Sequence, residues 1–368
     1  MGSVSPLDRS IDAAGQAISL GVREVAIRLS LDAASFARAA ECLLKASGLR
    51  MSQETLRKLA ESEGKLAIAA QEAEQLEFDW RAKDCHVIGS DGKPTTRLYL
   101  GADGVMVPVV TDAEKQKRRT KALERRKKLP RRKGLRRRRL PALKPGADEH
   151  FKEMKLVTFY DQPRERRLVR ATRKGPQEAG RIMRQGLVGL LARGAKERIA
   201  LVDGAPWIAK QIEQRRPPFT AVTLDFWHLG QHVHDARRTL FGETDADGKA
   251  WAEGVLQTIR EKGYDPFWQE LTEQRGKLRS PAKRQCLDRL MHYVAARPDM
   301  LDYPRHAKAG WDIGSGPTES MCKALTQRVK GRGKRWNSDN AEAMMALEAL
   351  LQSQLWPQWW THRLQRAA

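Results

Sequence analysis

"RIALVDGAPWIAKQIEQ", residues 198–214, reads as strand, turn and helix, with Asp203 closing an apolar run and standing just ahead of the helix. "FTAVTLDFWHLGQHVHDARRTL", residues 219–240, repeats that order. Upstream, "HVIGSDGKPTTRLYLGADGVMVPVVT" (86–111) changes to strand-like runs of Val, Tyr and Leu broken by Asp-Gly steps, a strong hairpin signal, and "EMKLVTFYD" (153–161) reads as a further strand. "GPQEAGRIMRQGLVGLLARG" (175–194) reads as a helix between the two groups. Antiparallel strands followed by strand–helix units call for a mixed sheet covered by helices.

The expected fold is therefore α/β, a ribonuclease H-like mixed sheet. Working outward, residues 241–310 turn helical, with Trp251, Val255, Leu256 and Ile259, then Leu287, Leu290, Met291 and Val294 at helical spacing. They read as an all-α insertion ahead of a C-terminal helical part, 311–368, which opens on "GSGPTES" and returns to the core. Residues 1–82 read as a helical, helix-turn-helix-like domain for DNA binding: an apolar face from Phe36 to Leu44, a break at Gly48, and Ser52 as N-cap of the next helix. The first part of the core, 83–240, contains a basic insertion at 113–148. With Pro130, Pro141 and Pro145 and no apolar period, that insertion is expected to be disordered.

Charge sets the class of partner. The 368 residues hold 68 Lys and Arg against 45 Asp and Glu, a formal charge of +23. The stretch from Lys115 to Lys144 holds 17 basic residues and one acid, and so supplies +16 of the total. Such an excess implies a polyanion, with nucleic acid as the first expectation. The four cysteines form no CxxC pair, so neither a zinc ribbon nor a disulfide framework can be read, and incidental buried thiols are expected. No run approaches 18 apolar residues, and the expectation is a cytoplasmic, nucleoid-associated protein without membrane contact.

Three acids stand out by context. Asp203 ends an apolar strand where α/β sheets place functional groups. Asp103 lies in a run that stays strand-like on both sides, so it can sit on the sheet itself. Glu319 follows Gly314, Ser315, Gly316 and Pro317 near the start of a helix. Beyond it, "KALTQRVKGRGKRW" (323–336) groups Arg328, Lys330, Arg332, Lys334 and Arg335 to receive a strand, with Trp336 placed to stack on a base. Taken alone, each Asp-Gly step is an ordinary turn, and Glu319 also suits the dipole of its helix. Together, three carboxylates from separate elements suffice for two divalent ions that clamp the oxygens of a phosphoryl transfer. "LDFWHLGQHVHD" (224–235) adds Asp225 at a strand end, able to cap the following helix, and His228 in its first turn. His228 and His232 also share a helix face, the geometry of a zinc hydrolase, but Leu229 stands where that motif needs Glu.

Residues 302–351, from "DYPRHAKAGWDIGSGPTES" onward, resemble the C-terminal segment of the Kra-type bacterial insertion-sequence transposases, DDE enzymes related to the Mutator-like superfamily. That pattern is met by Tyr303, Pro304, Gly314, Ser315, Gly316, Glu319, Arg328, Gly333 and Trp336. "GADGVMVPV" (101–109) is similar to the strand of the first Asp, "LVDGAPWI" (201–208) to that of the second, and "LDFWH" (224–228) to the superfamily's Cys/Asp-x-x-His signature. The resemblance implies a catalytic triad of Asp103, Asp203 and Glu319 binding two Mg²⁺ or Mn²⁺ ions, with Asp225 and His228 in support. It implies cleavage at the ends of a mobile element, then attack of the freed 3′-hydroxyl on target DNA. The partners would be double-stranded DNA, as terminal inverted repeats and target, and further copies of the chain. Two other classes fit parts of the sequence: a basic nucleic-acid-binding protein without catalysis, and another ribonuclease H-like nuclease such as a resolvase.

Overall fold

A computed structural model describes residues 18–128, 139–143, 145–331 and 333–367. Three helices, α1 (Leu20–Asp32), α2 (Phe36–Ser47) and α3 (Gln53–Glu72), lead into strands β1 (His86–Ile88) and β2 (Pro94–Pro108). Helix α4 (Asp112–Lys128) is followed by β3 (Phe151–Asp161), β4 (Arg167–Thr172), α5 (Pro176–Gly189), β5 (Glu197–Val202), α6 (Pro206–Arg215), β6 (Ala221–Leu224) and α7 (Phe226–Phe241). Then come α8 (Ala246–Glu261), α9 (Tyr264–Lys277), α10 (Pro281–Ala295), α11 (Tyr303–Lys308), α12 (Gly316–Gln327), α13 (Ser338–Gln352) and α14 (Trp356–Ala367).

The strands form a six-stranded mixed sheet in the order β4-β3-β2-β5-β6, with β1 on β2. β2, β3 and β4 are antiparallel neighbours, whereas β5 and β6 run parallel to β2. This order is compatible with a ribonuclease H-like sheet. The Asp91-Gly92 step makes the β1–β2 turn: Gly92 takes a left-handed φ of 76° and the Asp91 carboxylate accepts the Lys93 N–H at 3.0 Å. Asp103-Gly104 makes no turn, because both residues stay paired to β3 within the long β2 ladder.

Two of the apolar cores are large. The larger joins the sheet to α1, α3, α5, α12, α13 and α14, through side chains such as Ile27, Ala67, Leu100, Val157, Ile182, Leu325, Met345 and Trp359. Each large aliphatic side chain buried there contributes roughly 1.5–3 kcal/mol. The second core is helical, built from Leu229 and Val233 of α7, Val255 and Ile259 of α8, Phe267 and Leu271 of α9, and Leu287 and Val294 of α10.

The N-terminal helices pack on the sheet's core through Ala60 and Ala67, and on one another through a smaller core of Ala26, Ala39, Leu43 and Leu56. Gly64 of α3 lies so close to Ala343 of α13 that a Cβ there would overlap its carbonyl. The basic insertion is not disordered from its start. Asp112–Lys128 forms a helix without a buried side chain, with Asp112 and Glu114 in its first turn and Arg125, Arg126, Lys127 and Lys128 in its last. That charge order complements the helix dipole at both ends, and the first proline comes only at Pro130. Residues 129–138 and 144, the rest of the densest basic run, lie outside the described residues.

Candidate functional site

The register of the sheet brings the first two acids together. β2 and β5 pair in parallel with an offset of 100 residues, from Arg97 beside Glu197 to Ala102 beside Val202. One step further along both strands stand Asp103 and Asp203. Asp103 is held on the sheet by its pairing with Leu156 of β3. Asp203 leaves it into the turn before α6, its carboxylate accepting the Ala205 N–H at 2.8 Å.

The third acid arrives on a helix seated against the same strand. Gly101, on the same face of β2 as Asp103, has no side chain because Thr318 of α12 occupies the space a Cβ would need. One turn on, the Cys322 thiol donates to Oδ2 of Asp103 at 3.2 Å. Thr318 and Cys322 thus form the seated stripe of α12, which leaves Glu319 exposed at its margin. Its charge is near enough to help push the Cys322 thiol pKa upward, after burial and Asp103 itself.

The segment leading into that helix is strapped along the face of β2. Arg97, fully buried and paired with Glu197 at 2.7 Å, donates to the carbonyls of Ala309 and Gly310. Further on, the Asp312 N–H donates to the Tyr99 hydroxyl at 2.9 Å. Asp225 completes the strap. It is only 2 % exposed, and its Oδ1 accepts the N–H groups of Trp227 at 3.2 Å and Ser315 at 3.0 Å. Its Oδ2 accepts the Ser315 hydroxyl at 2.7 Å. One buried carboxylate therefore caps α7 and ties down the residue that begins the Glu319 helix.

Burial pushes the Asp103 pKa upward against the hydrogen bonds from Cys322 and Gly104; the nearby Asp203 adds to the rise, and His228 lowers it slightly. An ionised Asp103 is thus held where its charge is costly, the situation a bound cation relieves. His232 packs its ring on Tyr293 at 4.0 Å and edge-on to His228 at 5.5 Å, and burial, then His228, lower its pKa. Tyr293 of α10 donates its hydroxyl to the Asp203 carbonyl at 3.1 Å, and Arg297 donates to the Gly204 carbonyl at 2.7 Å. The helical insertion thereby grips the turn that carries the second acid. Burial pushes the Tyr293 hydroxyl up to about 12, so it remains a donor at neutral pH.

A divalent ion fits this donor set in kind. Asp103 and Asp203 offer hard oxygens side by side, and Mg²⁺ needs only one or two carboxylates besides water and substrate oxygens. Among the described residues, no three His, Cys, Asp or Glu side chains stand close enough to hold an ion unaided, the trio of Asp103, Asp203 and Glu319 included.

The basic segment after α12 divides. Lys330 is exposed, and its charge reaches Cys322 beside Asp103. Arg335 is exposed and paired with Glu114, while Lys334 donates to the Arg328 carbonyl at 3.1 Å. Arg332 lies outside the described residues. Arg328 and Trp336, expected to meet the strand, are 5 % and 8 % exposed. Arg328 donates to the Ser30 carbonyl at 2.7 Å and stacks over Phe36, and the Trp336 indole N–H donates to the Val329 carbonyl at 3.1 Å. Both pack on Phe36 of α2, and both line a cavity of about 480 Å³ together with Lys334 and Arg335. Cys322, expected to be an incidental buried thiol, is buried but hydrogen-bonds to Asp103; its place three residues after Glu319 was the available signal. Tyr293 and Arg297 carried none, because their contacts to the 203–204 turn depend on the tertiary fold.

The fold and site define a mixed α/β protein with one aspartate inside a central strand, a second just past the end of its parallel neighbour, and a third acid on a helix strapped against that central strand. No family model matches the chain, and no curated protein does. Among solved structures it is similar to the Drosophila P element transposase strand transfer complex, at 10 % identity over 91 % of this chain and 92 % of that one, with a TM-score of 0.37. At that depth the likeness carries no argument, and the chemistry rests on the side chains. No helix among the described residues is long and apolar enough to cross a membrane.

Proposed function

We propose that this chain is a DDE transposase that cuts and joins DNA, with Asp103, Asp203 and Glu319 as its acidic triad. The observation that carries the reading is the β2–β5 register, which runs Asp103, inside β2, alongside Asp203, just past the end of β5. The resemblance of residues 302–351 to Kra-type transposases supports it. So does a buried apparatus of Gly101, Thr318, Cys322 and Asp225 whose effect is to hold the Glu319 helix against those strands.

Asp103 and Asp203 would hold Mg²⁺ or Mn²⁺, with Glu319 completing the donor set once substrate oxygens are present. Bound there, the ions supply Lewis-acid activation of the attacking oxygen and stabilise the leaving one. The protein's own work is placement. Cys322 and the Gly104 N–H orient the Asp103 carboxylate. The grip of Tyr293 and Arg297 on the 203–204 turn fixes Asp203. Asp225 sets where α12 begins. His228, near Asp103, would support the site and meet the DNA strand. Exposed Lys330 and Arg335 would approach the DNA backbone, with half-buried Lys334 between them, while the wider basic surface draws in double-stranded DNA. Paired element ends require paired active sites, so the working form would be an oligomer on DNA.

The test uses a labelled duplex carrying the DNA that flanks the coding region, with Mg²⁺ or Mn²⁺, and compares wild type with Glu319→Gln. Loss of cleavage and joining with retained binding is expected. Unchanged joining would remove Glu319 from the triad. Binding without nicking in the wild type, matched by an identical Asp203→Asn protein, would favour a non-catalytic DNA-binding protein.

A further inference from the structure

On the flank of α12 away from Glu319, a cavity of about 90 Å³ is walled by Thr158 and Tyr160 of β3, Arg164 and Arg167 of the β3–β4 hairpin, and the start of α12. Its polar groups are nearly all donors. Thr158 is 0 % exposed, yet its hydroxyl has no hydrogen-bond partner, and the buried Nε of Arg167 has none either. Burial raises the Tyr160 pKa and keeps its hydroxyl protonated. Neither the Arg164 nor the Arg167 guanidinium has an acidic partner among the described residues; the nearby Asp161 and Glu165 are paired with Arg166 instead.

The helix end adds to this. Ser315 is the N-cap of α12 but makes no capping bond, because its hydroxyl is turned to Asp225. The first-turn N–H groups of Gly316 and Thr318 are therefore left without a side-chain acceptor, at the positive end of a 12-residue helix. Two guanidinium groups, an orphaned buried hydroxyl and an uncapped helix end around a space of this size suit one tetrahedral oxyanion.

We propose that this cavity is a binding site for a single phosphate group, brought either by the backbone of a nucleic-acid strand or by a free phosphate. The site is independent of the cleavage reading, since none of its residues belongs to the acidic triad. Occupied, it would fasten the start of α12 to the β3–β4 hairpin.

The test follows thermal unfolding of the full chain in inorganic phosphate against chloride at matched ionic strength. Wild type is expected to be stabilised by phosphate beyond the chloride control. Arg164→Ala, a change at an exposed turn residue, and Thr158→Val, which removes an already unsatisfied hydroxyl, are each expected to weaken the apparent affinity ~10-fold, the scale of one hydrogen bond to a charged group. Thr158→Val should be at least as stable as wild type without phosphate, which separates loss of the site from loss of the fold. A second arm measures DNA affinity against salt. A fall of about 1 in the slope for Arg164→Ala identifies a strand phosphate as the occupant, and an unchanged slope with the phosphate effect lost identifies a free one. No specific stabilisation of the wild type, or equal stabilisation of both variants, would overturn the proposal.

Discussion

Replacing Asp225 tests whether the site is assembled by a strap rather than by the acids alone. Asp225→Ala removes three accepted hydrogen bonds at once: the cap on α7 through the Trp227 N–H, and both bonds from Ser315. Loss of a helix cap costs about 1 kcal/mol, and each buried donor left unsatisfied costs roughly 1–3 kcal/mol. Since Ser315 is itself buried and both its donors are stranded, a total of about 3–5 kcal/mol is expected, allowing for non-additivity. Asp225→Asn should behave differently. The two backbone N–H groups both point at Oδ1, which an amide oxygen can replace. The Ser315 hydroxyl can rotate to accept from the new NH₂ group. Three neutral bonds then stand in for three charge-assisted ones, at a cost of about 1–2 kcal/mol. Denaturant unfolding gives both values, and Mn²⁺-dependent nicking measured well below the melting range reads the placement of Glu319. The expected pattern is large losses of stability and rate in the alanine variant and small losses of both in the asparagine variant. If asparagine proves as stable as predicted yet abolishes nicking, the Asp225 charge acts in the chemistry itself and the strap argument fails.

The seat of α12 can be probed from the strand side. Gly101→Ala places a methyl group against Thr318, with Thr158 close behind, and overpacking of this kind costs about 1–3 kcal/mol. Adding Thr318→Ala should recover part of the loss in melting temperature and in nicking, and a Gly101→Ala protein that melts and nicks like wild type would show that the helix is not seated there. Asp103, whose pKa is raised chiefly by burial and further by Asp203, gives a pH test. An acid with a raised folded pKa favours the native state at low pH, and that contribution is lost as pH rises through the folded value. Ion-free Asp103→Asn should therefore melt above wild type at neutral pH and converge with it below the ordinary aspartate range, about pH 3.9. Mg²⁺ or Mn²⁺ should stabilise wild type and not the variant, and equal metal stabilisation of the two would take Asp103 out of the ion site.

How much of this was legible in the chain depends on the range of the signal. The strand–turn–helix at 198–214 carries its own evidence, since Ile199 to Val202 is buried on both faces and Asp203 can stand only at its end. The hairpin at Asp91-Gly92 is equally local. The packing of Arg328 and Trp336 on Ser30 and Phe36 was not legible, because those partners lie some 300 residues upstream. Asp225 was readable as a cap but not as a strap, because its partner Ser315 is 90 residues away.

That difference bears on the choice between a binding protein and an enzyme. A basic protein that only grips DNA needs exposed cations, and this chain has them in excess. It has no use for a half-buried carboxylate beside a second one, where ionisation is penalised by burial and by like charge. Nor does binding alone require a glycine in mid-strand so that a helix bearing a third acid can approach. Local unfavourable features of this sort persist where something else depends on them. Here they converge within one turn of α12, and a divalent ion shared with a phosphate diester is the ligand that would turn each of them to advantage.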